Sequence, residues 1–192
     1  MKISHPEGAT PLDAEDILAL IPPHINTQEQ LNAWEQRNIL SAIQWAKHKR
    51  DILTITFIQQ LHIHMFDETW KWAGKFRRSG KNIGVDWHMI PTELKKLCDD
   101  VIYQLDYHSF SDDEIAVRLH HRLVLIHPFP NGNGRHARLM ADLLITRQGH
   151  PRFSWGMHQD LYAHNPIRKQ YIKALQLADR GDYSKLIAFA QS

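Results

Sequence analysis

Between His127 and Arg135 the chain reads HPFPNGNGR, and this run constrains the local fold more than any other stretch. Pro128 and Pro130 each restrict the residue before them, so a helix arriving from Asp112 has to end at His127. Its imidazole therefore emerges at a helix end, and the Phe129 ring is the natural plug holding the loop to the core. Gly132 and Gly134 flank Asn133, which opens the turn to backbone conformations that most side chains avoid. Leu119, Leu123 and Ile126 form an apolar stripe ahead of the break, and Ala137, Met140 and Leu144 form another behind it.

The same periodicity predicts helices over 27–50, 54–66, 91–107, 112–126, 133–148, 159–178 and 183–191. Thr27 with Gln30 has the pattern of a capping box, Gly181 that of a helix C-cap and Ser184 that of an N-cap. Residues 1–26 read as a loose arm with one short helix. In 75–90, Ile83, Val85, Trp87 and Met89 alternate with Gly84, Asp86 and His88 behind the turn sequence SGKN, which predicts a β-hairpin. The expected fold is all-α with one hairpin: an arm and helix over 1–50, then the main domain over 51–192.

With 43% apolar and 23% charged residues, the composition is that of a globular protein. The single cysteine, Cys98, excludes an internal disulfide and is expected to be buried or half-buried on its helix. The longest aliphatic run, LVLI, is far too short to span a bilayer, and the N-terminus lacks the apolar core of a secretion signal. The expected location is the cytoplasm. A net charge of +2 without a dense Lys/Arg face argues against nucleic acid as a partner.

A glycine-rich turn feeding a helix N-terminus is an anion site, because backbone N–H groups and the positive dipole end converge there. Arg135 and Arg138, one turn apart, extend that site toward further phosphate oxygens with forked donors. At its lip stands His127, which can accept a proton from a hydroxyl. Together these suit phosphoryl or nucleotidyl transfer. The chain holds 14 histidines, which raises a metal reading. His62 and His64 lie two apart and His120 and His121 adjacent, however, so neither pair shares a helix face, and a histidine-held metal is not expected.

HPFPNGNGRHAR resembles the signature of the Fic family, His-x-Phe-x-acid-Gly-Asn-Gly-Arg-x-x-Arg, and within it the mobile mystery protein B type. WAGKFR and the segment after it resemble the family's flap, and YIKALQLADRGDYSKLIAF resembles its closing helices, so the likeness covers roughly residues 50–190. The resemblance implies a helical bundle with a β-hairpin flap that transfers AMP from ATP to a protein hydroxyl. It casts His127 as the base, Gly132, Asn133 and Gly134 as holders of the α and β phosphates, and Arg135 and Arg138 as grips on the β and γ phosphates. The flap over Lys81, Asn82, Ile83, Gly84 and Val85 would clamp a target segment bearing a Ser, Thr or Tyr hydroxyl by strand pairing.

The resemblance also implies Mg²⁺ held by an acidic residue; this chain has Asn131 there, whose oxygen can still ligate the ion but brings no charge, so weak Mg²⁺ binding through Asn131 is expected. It further implies an inhibitory glutamate on a helix, in a Ser/Thr-x-x-x-Glu-Gly/Asn pattern, pairing with the second motif arginine. Glu35 is the candidate, with Arg138 its expected partner, although Leu31 and Gln36 stand where the pattern wants other residues. The plain alternatives are a solvated carboxylate at Glu35 and a surface ion pair between Arg138 and Asp142. Asn165 is a candidate for the nucleobase pocket, and Tyr171 is expected in the core. A non-catalytic nucleotide-binding module and a Fic-type phosphotransferase toxin are the competing functions. Gly134 argues against the toxin, whose relatives carry lysine there. Relatives of this type also sit beside a helix-turn-helix protein, which implies an antitoxin partner.

Overall fold

The computed structural model describes residues 13–156 and 166–192. Eight α-helices follow one another in these segments: α1 (Ala14–Leu18), α2 (Gln28–Lys47), α3 (Ile55–Phe66), α4 (Ile90–Asp106), α5 (Asp112–Ile126), α6 (Asn133–Arg147), α7 (Pro166–Ala178) and α8 (Ser184–Ala190). The start of the helix expected over 159–178, and with it Asn165, lies outside the described residues.

Caps set the helix starts. The Thr27 hydroxyl accepts the Gln30 N–H at 3.2 Å while the Gln30 side chain accepts the Thr27 N–H at 3.2 Å, so the capping box forms as expected. Thr54 caps α3 by accepting the Phe57 N–H at 3.1 Å, which starts a helix despite the β-branched residues that follow. α8 is capped through Asp182, whose carboxylate accepts the Ser184 N–H at 3.0 Å; Ser184 itself is the first helical residue.

α5 and α6 form the centre, with α4 and α8 against α5, and α2 and α3 against α6. The stripes of α5 and α6 meet there: Leu119, Leu123, Ile126, Ala137, Met140 and Leu144 are all buried. Burying such side chains is worth roughly 1.5–3 kcal/mol each, enough to hold the loop between these helices in one conformation. Phe129 is fully buried, stacked on His62 with ring centroids 3.7 Å apart. The plug expected from the sequence is in place.

The predicted hairpin does not form. Among the described residues, 75–90 contains no strand, and Trp87–Met89 is a short 3₁₀ turn capped by Asp86. Its backbone groups bond outward instead of to each other: the Arg77 N–H donates to the Pro128 carbonyl at 2.9 Å, and the Val85 N–H to that of Ile126 at 3.4 Å. The Arg77 guanidinium takes up the carbonyls of Ser79 and Val85. The alternation at 83–89 is therefore that of a segment lying on the loop, and residues 79–85 form a flap in that position.

The segment around α1 ties down the other side of this flap. Leu20 bridges Trp70, the Trp72 indole donates to the Asp16 carbonyl at 3.1 Å, and the Lys81 ammonium meets the carboxylates of Asp13 and Asp16 at 2.5 and 3.0 Å. Cys98 is buried on α4, and burial pushes its thiol up to about 11, which makes it inert.

Gly132 shows how closely the loop is fitted. It sits at φ +78°, and a Cβ there would lie 2.6 Å from two carbons of the Phe66 ring, itself fully buried. Left-handed strain of about 1 kcal/mol adds to an overpacking cost of about 1–3 kcal/mol. Gly132→Ala should therefore lower the calorimetric melting temperature by roughly 5–15 °C. An unchanged melt would mean that the ring yields.

Candidate active site

The end of α5 places the histidine. His127 is the C-cap, with φ 52° and ψ 60°, a left-handed conformation rather than the extended one that a following proline favours. Only 6% of the residue is exposed. Its Nδ1 lies 3.3 Å from the Val124 carbonyl oxygen. A carbonyl can only accept, so the proton sits on Nδ1 and Nε2 carries the lone pair. Burial pushes the imidazole down to about 4, with the Val124 carbonyl opposing the shift and the charges of Arg77 and Lys81 adding to it. The ring is a neutral base at physiological pH.

After the loop, α6 starts at Asn133 with Gly132 as an N-cap that offers no side chain, and first-turn N–H groups of this kind form an anion-binding end. Asn133 contributes backbone only. Its side chain is buried and brackets Phe129, accepting the Phe129 N–H at 3.0 Å and donating to the Phe129 carbonyl at 2.8 Å. Gly134 is open: a Cβ there would meet nothing nearer than 3.9 Å.

Asn131 does not offer a magnesium site of its own. Its side-chain oxygen is neutral and accepts the Gly132 N–H at 2.6 Å, while His62 donates to its carbonyl at 3.0 Å. Among the described residues, no three His, Cys, Asp or Glu side chains stand together as metal ligands. These donors lack the charge that draws a hard cation, so they do not fit Mg²⁺ as a protein-held ion.

The two arginines diverge. Arg135 pairs with Glu35 at 2.6 Å and lies over the Phe66 ring at 4.7 Å. Arg138 lies beside the Tyr171 ring at 5.7 Å, on the α7 side. Glu35 is thus neither solvated nor partnered with Arg138: it is buried on α2, and its second oxygen accepts the Trp70 indole N–H at 2.7 Å. Asp142 pairs with the Trp155 indole at 2.9 Å rather than with Arg138, and burial pushes its carboxyl up to about 6. Tyr171 is buried as expected, with its hydroxyl 3.0 Å from His120 Nε2.

Residues 52–145, which contain His127, the loop and both arginines, match the Fic/DOC family. The chain is a member of that family. Its Fic/DOC core is similar to "Protein adenylyltransferase fic-1" of Caenorhabditis briggsae, 32% identical over 120 residues, covering 61% of this chain and 22% of the relative. It is likewise similar to "Protein adenylyltransferase Fic" of Aedes aegypti, 29% identical over 146 residues, 74% of this chain and 28% of the relative. The chain therefore spans about a quarter of the length of these curated relatives. Among solved structures, Fic-1 (aa134–508) of Caenorhabditis elegans superposes with a TM-score of 0.68 at 23% identity, covering 92% of this chain and 52% of that one. The BepC protein of Bartonella tribocorum, solved with bound AMPPNP, gives 0.69 at 16% identity, covering 93% and 97%. These likenesses establish the Fic fold.

Three residues around the Fic loop escape a sequence reading. His62 takes the Gly74 N–H on Nδ1 at 2.9 Å and donates from Nε2 to Asn131, which ties α3 to the loop. Trp70 holds Glu35, and Arg77 holds the backbone of His127. Each contact joins residues far apart in sequence, and no local pattern announces it.

The buried histidines make the Fic fold acid-sensitive. His127 and His136 are both pushed down to about 4, chiefly by burial, and His62 and His120 are lowered in the same direction. A folded value below the ordinary 6.5 means that the unfolded chain binds protons first as pH falls. Stability is whole above about pH 6.5 and is lost toward 4, by about 3 kcal/mol for each of His127 and His136. Urea midpoints should be flat from pH 8 to about 7 and fall steeply below 6. A flat profile down to pH 4.5 would show that these rings carry protons in the fold.

Proposed function

We propose that this chain is a protein adenylyltransferase that moves AMP from ATP to a Ser, Thr or Tyr hydroxyl of a target protein. The observation that supports it most is a neutral imidazole with its lone pair on Nε2, set beside an uncapped helix start that carries two arginines. The names of the curated relatives agree with this reading.

In this reaction the target hydroxyl gives its proton to Nε2 of His127 as its oxygen bonds to the α-phosphorus. The bond from that phosphorus to the bridging oxygen of the β phosphate breaks, and pyrophosphate leaves. The N–H groups opening α6, with Arg135 and Arg138, meet the charge on the departing phosphates. The flap at Lys81–Val85 supplies the edge against which the target segment lies. Glu35, on Arg135, restrains nucleotide entry. Of the partners the resemblance implies, a helix-turn-helix antitoxin is the one beyond the target itself. The cytoplasm is the proposed setting.

Asn131 favours one rival: with its oxygen turned to Gly132, the loop brings no charge to a metal–nucleotide complex, as in a module that binds without reacting. Incubation with ATP labelled at the α or at the γ phosphate separates the readings. Label on protein from the α position alone is the expected result. γ-label would make the chain a phosphotransferase, and binding without label would make it the non-catalytic module.

A further inference from the structure

Arg77 lies outside the His127–Arg138 run and has no part in the proposed transfer step. It is 3% exposed. Among the described residues no carboxylate forms an ion pair with it, so a buried cation is held by backbone carbonyls instead. Nε donates to the His127 carbonyl at 2.6 Å, Nη1 to Ser79 at 2.8 Å, and Nη2 to Val85 and, at 3.4 Å, to Ile126. Its own N–H donates to the Pro128 carbonyl at 2.9 Å. One residue thereby grips three consecutive carbonyls around the histidine and two at the ends of the flap.

As a purely stabilising device this is an expensive choice, because well-packed apolar side chains serve a core as well as buried charge does. What the fork adds is geometry. A non-glycine residue in the left-handed region costs about 1–2 kcal/mol and persists only where its surroundings over-determine it. At His127 the fork supplies that constraint. The flap is fitted to the same fork: Gly84 sits at φ +120°, and a Cβ there would lie 2.5 Å from Arg77 Nη2 and 3.0 Å from His127 Cβ.

We propose that Arg77 is a positioning residue that joins flap to base, holding His127 in its left-handed turn and locking 79–85 against it so that a target hydroxyl and Nε2 meet in register. The inference rests on His127 being the base and the flap being the docking edge. It gives Arg77 no contact with the nucleotide, so its loss should separate turnover from nucleotide binding.

The test compares the full chain with Arg77→Met and Arg77→Lys, measuring ATP affinity by calorimetry and kcat for protein labelling. Expected is a fall in kcat of about a hundredfold in both variants, with ATP affinity within about twofold of wild type. Lysine fails as methionine does, since a point charge cannot span carbonyls on two segments. A folded variant with kcat near wild type, or one whose ATP affinity falls in step with kcat, overturns the proposal. If both variants fail to fold, Gly84→Ala disturbs the same joint from the flap side and should show the same split; equal losses in both quantities overturn it. An independent readout is the His127 ring followed by NMR without nucleotide. In Arg77→Met, release of the ring from its buried left-handed seat, with loss of the Arg77 charge as the smaller part, should raise its midpoint from about 4 toward the ordinary 6.5. An unmoved midpoint overturns the proposal even if the wild-type chain transfers no nucleotide, in which case the adenylyltransferase reading fails separately.

Discussion

Replacing His127 by alanine should lower kcat for AMP transfer by about a thousandfold while ATP affinity stays within about twofold. The imidazole is positioned for one task. Its Nδ1 proton is committed to Val124, its ring is neutral, and the groups proposed to bind phosphate belong to another helix. Removing it takes away the proton acceptor and leaves the cradle intact, and general-base catalysis of this kind contributes about 10²–10⁴-fold. The two quantities are read separately, kcat from labelling at saturating target and affinity from calorimetry. Because burial depresses the imidazole, the rate should also stay level from pH 8 to about 6 instead of dropping near 6.5. A variant that loses affinity as well as rate would make His127 a ligand of the nucleotide.

The second large effect runs the other way. Glu35→Gln should raise labelling by about 10–100-fold and lower the melting temperature of the nucleotide-free chain. In the present arrangement one carboxylate oxygen neutralises Arg135 at 2.6 Å and the other holds the Trp70 indole at 2.7 Å. A phosphate must displace the first contact to reach Arg135. A hydrogen bond to a charged group is worth about 1.5–3 kcal/mol, which corresponds to the expected gain. Glutamine keeps an oxygen for Trp70 and gives up the charge, so the half-buried Arg135 loses the carboxylate it pairs with until ATP arrives. Destabilisation without nucleotide and tighter binding with it are two faces of one change, and saturating ATP should restore the melt. Labelling at the wild-type level with a lowered melt would make Glu35 a structural partner only.

The helices were legible because their signals are local. A threonine and glutamine three apart and a proline after His127 fix a start and a stop without help from distant residues. The break between α5 and α6 was legible for the same reason. The flap was not, since alternation predicts a strand only where another strand takes up its hydrogen bonds. Here Pro128, Ile126 and the Arg77 fork take them instead, and none of these is readable from 83–89. Glu35 shows the limit most clearly. Its partner lies 100 residues away, and Arg135 and Arg138 differ by one helical turn. The choice between them rests on how α2 packs against α6, and the packing of Trp70 and Phe66 decides it. The same loop carries the left-handed strain at His127, which a proline rule alone would have made extended.

The most direct measurement is a crystal structure of the chain with a non-hydrolysable ATP analogue blocked between the α and β phosphates. The β and γ phosphates should lie on the N–H groups of Gly134 and Arg135 at the start of α6, with Arg135 turned from Glu35 and the α-phosphorus facing Nε2 of His127. An analogue bound elsewhere, or one whose γ-phosphorus faces His127, would contradict AMP transfer by this loop.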